Sequence, residues 1–177
     1  MGIENKRREI LLSKESIDER IKSLGELLTS EYKDKNLMVI SLLKGSFIFT
    51  ADLVRKMDLP VRIEFMTTSS YGHSEESTGQ LKIVQDISVD DLSEFDVLIV
   101  DDITDSALTM TGVLNILEKR NPKSLKACVL LDKPSRRKVE YVPDYVGFEI
   151  PDMFIVGYGL NYGDYYRNVD HVFAFVD

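Results

Sequence analysis

An unbroken apolar run, Val97-Leu98-Ile99-Val100, ends in two carboxylates, Asp101 and Asp102, and passes into a hydroxyl-bearing stretch carrying Asp105, Ser106 and Thr109. Apolar residues without alternation suit a strand covered on both faces, as in a parallel sheet. The acidic pair is expected to leave that sheet at its carboxyl edge, where open α/β sheets bind ligands. A helical pattern begins just beyond. Backbone N–H groups and hydroxyls would then meet at a helix start, which favours an anion, while carboxylates alongside suit ribose hydroxyls or a divalent cation. The residue types therefore point to a place for a sugar and a phosphate.

The rest of the chain repeats the same alternation. Ile17, Ile21, Leu24 and Leu28 recur at helical spacing and predict an amphipathic helix over about residues 15–32. Residues 37–43 read as a buried strand; Phe47, Ala51 and Val54 then suggest a helix ending near Met57, ahead of Pro60, and residues 61–67 form the next strand. The pattern returns with residues 97–100, the stripe Met110, Val113, Leu114 and Leu117, and a strand over residues 127–131 after Asn121-Pro122. The expected fold class is α/β, a parallel twisted sheet flanked by helices. Residues 68–80 lack apolar periodicity and read as a mobile surface loop able to act as a lid. Residues 144–150, 154–157 and 171–176 suggest short strands joined by turns.

Composition narrows the classes of partner. A length of 177 residues fits one domain spanning residues 1–177. With 30 acidic against 22 basic residues, nothing global attracts nucleic acid or an anionic membrane, so a polyanionic substrate must be held by local groups. A single cysteine, Cys128, excludes an internal disulfide, and no early apolar run suits a signal peptide or membrane span; a cytoplasmic location is expected. The glycines of residues 157–163 miss the spacing of a dinucleotide fingerprint, and His73, His171 and Cys128 lack zinc-site spacing.

Residues 101–109 place an acidic pair before Ile103, Asp105, Ser106 and Thr109, and this segment resembles the phosphoribosyl-diphosphate (PRPP) signature of type I phosphoribosyltransferases. Leu43-Lys44-Gly45, Ser70-Tyr71 followed by Ser77-Thr78-Gly79, Lys133-Pro134, and residues 146–152 occur in an order similar to that of hypoxanthine-guanine phosphoribosyltransferases. The resemblance runs from about Glu9 to Phe175. It implies the type I phosphoribosyltransferase fold with a small hood subdomain and a mobile loop. It also implies transfer from PRPP to hypoxanthine or guanine, Mg²⁺ as cofactor, and a homodimer or homotetramer.

The resemblance further implies a role for each matched residue. Asp101 and Asp102 would hold the ribose hydroxyls and, with residue 161, the metal. Asp105 would sit near N7 of the purine as general acid/base. Asp105, Ser106, Ala107, Leu108 and Thr109 would wrap the 5′-phosphate, and Asp105 or Ser106 would cap the following helix in any case. Lys44, joined to Leu43 by a cis peptide, would contact diphosphate with Gly45 and Arg167. Ser70 and Tyr71 would close over PRPP and exclude water. Lys133 would read the exocyclic oxygen of a 6-oxopurine, Phe154 would stack on the base and the Ile155 backbone would read its edge, although periodicity alone makes both core residues.

Two residues depart from the family pattern. Ala107 stands where glycine is usual, at a cost of about 1–2 kcal/mol if the loop is left-handed. Asn161 stands where an aspartate is expected to bind Mg²⁺, and it supplies a dipole in place of a charge. Two rival readings are a xanthine-preferring enzyme and a non-catalytic nucleotide-sensing or RNA-binding regulator using the basic cluster Arg136, Arg137 and Lys138. The acidic balance speaks against the regulator.

Overall fold

The computed structural model describes residues 7–70 and 81–176. The predicted first helix is α1 (Lys14–Glu31), opened by Ser13, whose hydroxyl accepts from the Ser16 N–H. It is followed by β2 (Leu37–Leu43), α2 (Phe47–Val54), β3 (Arg62–Ser70), β5 (Asp96–Thr104), α3 (Leu108–Glu118), β6 (Ser124–Asp132) and β7 (Tyr145–Glu149), so the strand–helix alternation stands. The six-stranded sheet has the order β4-β3-β2-β5-β6-β7, where β4 is Leu81–Gln85. Its pairs are parallel except β3 with β4, which is antiparallel. A second, antiparallel sheet joins β1 (Arg7–Leu12), β9 (Val172–Val176) and β8 (Ile155–Val156) in the order β1-β9-β8, in the place of the implied hood.

The strand order determines where a ligand can enter. The chain steps from β2 through α2 to β3 on one side, and from β5 through α3 to β6 on the other. Because such crossovers share one hand, the two helices fall on opposite faces. Phe49 and Leu53 of α2 pack with Leu98, Val100 and the α1 stripe, whereas Met110, Val113 and Leu117 of α3 pack with Val97, Ile99, Met38 and Ile40. Successive residues of β5 thus enter different cores, which is why the run has no polar alternation. Between the carboxyl ends of β2 and β5 the connections diverge, and that divergence opens a crevice.

Three details differ from expectation. β5 continues to Thr104, with Asp101 opposite Val129 and Ile103 opposite Leu131, so the acidic pair occupies the last rungs and does not leave the sheet. The partner strand β6 runs equally far, to Asp132 opposite Thr104. Residues 68–70 belong to β3, with Thr68 opposite Ile83 and Ser70 opposite Leu81. This end of β3 is built of Thr and Ser, partly exposed and paired only with the edge strand β4, so apolar periodicity missed it, as it missed β1. The remainder of the expected lid, with Tyr71, His73 and Ser77, lies outside the described residues. Among the described residues no helix is long and apolar enough to cross a membrane.

Candidate active site

The turn from β5 into α3 forms one wall of the crevice. Ala107 is the residue at the helix start, at φ 64° and ψ 3°, the left-handed conformation that its methyl group resists. No side chain caps this helix at that position, which corrects the expectation for Asp105 and Ser106. The Asp105 carboxylate instead accepts from the Ser106 N–H, and the Ser106 hydroxyl is 3.4 Å from the Leu108 N–H. First-turn N–H groups have no intrahelical acceptor and carry the positive end of the helix dipole. They border a cavity of about 100 Å³ lined by Asp101, Thr104, Asp105, Ser106, Ala107 and Thr109. Leu108 is exposed and does not line it.

The opposite wall is the turn after β2. Its Leu43–Lys44 peptide is cis, as the resemblance implies, and Lys44 is exposed. Beneath it the buried hydroxyls of Ser41, Ser46 and Thr50 form a chain with 2.7 Å links, and Ser46 donates to the Leu42 carbonyl at 2.6 Å. A satisfied buried network of this kind holds one backbone path. A Cβ on Gly45 would lie 1.8 Å from Asp102 Oδ2, so the Asp102 carboxylate rests against the bare Cα. A Cβ on Gly159, at φ 97°, would lie 2.0 Å from the Gly45 carbonyl oxygen. Arg167 Nη1 donates to the Gly159 carbonyl at 2.7 Å, and the Gly159 N–H donates to the Arg167 carbonyl at 2.9 Å. Gly45, Asp102, Gly159 and Arg167 therefore form one packed array. Sequence reasoning missed Gly159; its only signal was a glycine in a segment whose spacing missed the dinucleotide fingerprint.

The acidic pair divides between the two walls. Asp101 lines the small cavity, while Asp102 faces Gly45 and feels the positive charge of Arg167. Burial pushes both carboxyls above the usual aspartate range, Asp101 furthest because the Asp102 charge adds to it. Among the described residues no cluster of three or more carboxylate, imidazole or thiol groups could hold a metal ion alone.

A second cavity, of about 400 Å³, gathers Lys133, Phe154, Ile155, Asn161, Ile103 and Asp105. Lys133 Nζ donates to the Met153 carbonyl at 2.5 Å. Phe154 is 61% exposed and Ile155 only 5%, so the expectation that both are core residues fails for Phe154. The strand β8 begins only at Ile155, and the Phe154 ring turns out over the cavity with its edge toward Tyr162, centroids 5.7 Å apart. Asn161 donates its amide N–H to the Gly163 carbonyl at 2.5 Å, a bond that an aspartate could not make. Ile103 was also missed, since it continues an apolar strand pattern.

Arg167 lines neither cavity; it borders an open one of about 610 Å³ with Arg8, Phe47, Tyr165 and Tyr166. Ser70 ends β3, and Tyr71 is outside the described residues. A further cavity of about 470 Å³ between α1 and α2 contains the ion pairs Lys14–Asp18 and Arg55–Asp52 and none of the expected residues. The basic trio does not form an outward patch. Arg136 pairs with Asp152 at 3.4 Å, and Arg137, its side chain 15% exposed, turns inward to Asp132.

Comparison with known proteins matches this geometry. The family model described as the phosphoribosyl transferase domain matches residues 8–163. A hypoxanthine-guanine phosphoribosyltransferase of Aquifex aeolicus is 47% identical over 99% of this chain and 98% of its own length. A hypoxanthine phosphoribosyltransferase of Buchnera aphidicola is 48% identical, covering 92% of this chain and 93% of that protein. The crystal structure of a hypoxanthine phosphoribosyltransferase from Staphylococcus aureus superposes with a TM-score of 0.90 at 40% identity, over 95% of this chain and 91% of the other. Identity of this extent, carried through both walls of the crevice and the hood, places the chain in the phosphoribosyltransferase family, among its hypoxanthine-guanine members.

Proposed function

We propose that this enzyme transfers the 5-phosphoribosyl group of PRPP to hypoxanthine or guanine, giving IMP or GMP and diphosphate. The observation that carries this reading is the position of Asp105, which lines both the small cavity at the start of α3 and the larger cavity holding Lys133 and Phe154. A carboxylate at that junction can reach a base whose neighbour on the other side is a phosphorylated sugar.

In this reading Ser106, Thr109 and the first N–H groups of α3 bind the 5′-phosphate, and Asp101 and Asp102 bind the ribose hydroxyls. Lys44, Gly45 and Arg167 face the diphosphate, with Ser70 and Tyr71 as the closing segment. Lys133 exchanges its Met153 carbonyl partner for the exocyclic oxygen of the base, which leaves an adenine amino group without an acceptor. Phe154 supplies the stacking face and Ile155 the backbone contact. Asp105 takes the N7 proton as N9 bonds to the anomeric carbon, and the electron pair of the breaking C–O bond leaves with diphosphate, inverting that carbon.

The acidic pair fits a divalent cation shared with substrate oxygens. Two carboxyls raised by burial, Asp101 further by the charge of Asp102, would be held ionised by a cation beside them. Asp101, Asp102 and the Asn161 amide oxygen would hold Mg²⁺, which when bound offsets charge on the departing diphosphate. The reading extends to one domain over residues 1–177 and a cytoplasmic homodimer or homotetramer.

The test is nucleotide formation from PRPP, Mg²⁺ and hypoxanthine, guanine, xanthine or adenine in turn. Product from hypoxanthine or guanine, and none from adenine, is expected. Preference for xanthine would correct the substrate, and no product with any base would sink the proposal.

A further inference from the structure

Arg137 occupies a position that the proposed chemistry leaves unexplained. Its Nη1 donates to the Asp105 carbonyl at 2.7 Å, to the Thr104 carbonyl at 3.2 Å and to the Lys133 carbonyl at 3.4 Å. Its Nε donates to the Tyr141 carbonyl at 3.0 Å, and its Nη2 is ion-paired with Asp132, whose side chain is 9% exposed. The guanidinium therefore ties together two loops that meet nowhere in sequence, one carrying Asp105 and the other carrying Lys133. Two backbone bonds run between the same loops, from the Lys133 N–H to the Thr104 carbonyl at 2.9 Å and from the Lys138 N–H to the Ser106 carbonyl at 3.0 Å.

These partners divide the loop in two. The phosphate-facing part, from Ser106 onward, has its own anchors in the Lys138 N–H and the start of α3. The residue that faces the base, Asp105, has its carbonyl held by Arg137. We infer that Arg137 is a positioning residue that sets the Asp105 carboxylate against a purine bound over Lys133. The inference rests on the phosphoribosyl-transfer reading above. A planar fork of donors can hold several carbonyls and a carboxylate in one orientation, which the single ammonium of lysine cannot reproduce. The bland reading, a buried ion pair that only stabilises the fold, predicts a loss of stability without a specific link to Asp105.

A double-mutant cycle separates the two. Arg137→Gln is made alone, with Asp132→Asn so that no carboxylate is stranded, and each in the Asp105→Asn background. PRPP affinity is measured by calorimetry and folding by thermal unfolding. For folded variants kcat with hypoxanthine should fall by roughly 30-fold or more while PRPP affinity stays within about threefold. In the Asp105→Asn background the same change at Arg137 should cost less than about threefold, because the group it positions is already disabled. Arg137→Lys should recover little of the lost rate. The inference is overturned if the two losses multiply independently, if PRPP affinity falls as far as kcat, or if kcat does not change. A parent protein that forms no nucleotide from PRPP and either base overturns the underlying reading itself, whereas independent losses in an active parent overturn only the role given to Arg137.

Discussion

The two turns that flank the crevice follow parallel strands and precede helices, yet they are built on opposite principles. The turn after β2 is filled: Gly45 has Asp102 against its Cα and the Gly159 Cα against its carbonyl, and three hydroxyls are packed beneath it. The turn after β5 is open: it borders a cavity of about 100 Å³ and tolerates an alanine in a conformation that favours glycine. The first works by holding a backbone where no other atom fits. The second works by presenting donors to space, and there the methyl group of Ala107, although buried, costs conformational energy because its backbone is left-handed. A glycine matters for packing in one turn and for dihedral freedom in the other, so substitutions should have different signatures.

The largest effect is expected at Gly159. Alanine there adds about 1–2 kcal/mol of left-handed strain to about 1–3 kcal/mol for the overlap with the Gly45 carbonyl. Denaturant unfolding of Gly159→Ala should show a loss of about 2–5 kcal/mol, with weaker PRPP binding in whatever remains folded. A loss below about 1 kcal/mol would mean that the packed array yields easily, and the contrast between the turns would collapse.

On the open side, Asp105→Asn keeps size and reach while removing the proton acceptor. Its kcat should drop by about 10²-fold or more, with PRPP affinity and stability little changed. Parent-like turnover with guanine would remove Asp105 from the role of base.

Ala107→Gly sharpens the comparison further. Relief of about 1–2 kcal/mol of strain is opposed by about 0.4–1 kcal/mol of added unfolded-state freedom and by loss of a buried methyl, about 0.8 kcal/mol. Stability should therefore shift by less than about 1 kcal/mol, while freer aim of the phosphate-facing N–H groups lowers the PRPP half-saturation point by a few fold. An unchanged half-saturation point would show that the strain does not reach the donors.

The smallest effect is expected at Asn161. Asn161→Asp supplies a charge toward Mg²⁺ but loses the bond to the Gly163 carbonyl. The Mg²⁺ needed for half-maximal rate should fall by a factor of about two to five, and titration of both proteins decides it. A requirement that stays the same or rises would mean that residue 161 serves its turn and not the metal.

Local pattern carried much of this site. The run into Asp101 and Asp102 and the helix start near Thr109 are readable because each depends on neighbours within a few residues, whereas the departures at Ala107 and Asn161 show only against the pattern of the family that the chain resembles. The core placement that periodicity alone gives Phe154 failed because periodicity reports which face of an element a residue shares, and Phe154 stands just outside its strand. The expected helix cap failed because the backbone at Ala107 turns left-handed, which places that residue at the cap position. Arg136, Arg137 and Lys138 looked like one basic patch, since a sequence displays charges but not the distant carboxylates, Asp152 and Asp132, that pair with the two arginines.

By itself the sequence determined the alternation of strands and helices, the two-sided burial of β5 and the chemical character of the segment that follows it, because hydrophobic period and turn chemistry act over short stretches of chain. Tertiary structure alone decided the strand order that opens the crevice between β2 and β5, and the close approach of Gly159 to Gly45. It also decided the inward turn of Arg137 and the place of Asp105 between two cavities. Those contacts join residues far apart in the chain, and their energies depend on shape and solvent exclusion that exist only once the sheet has formed.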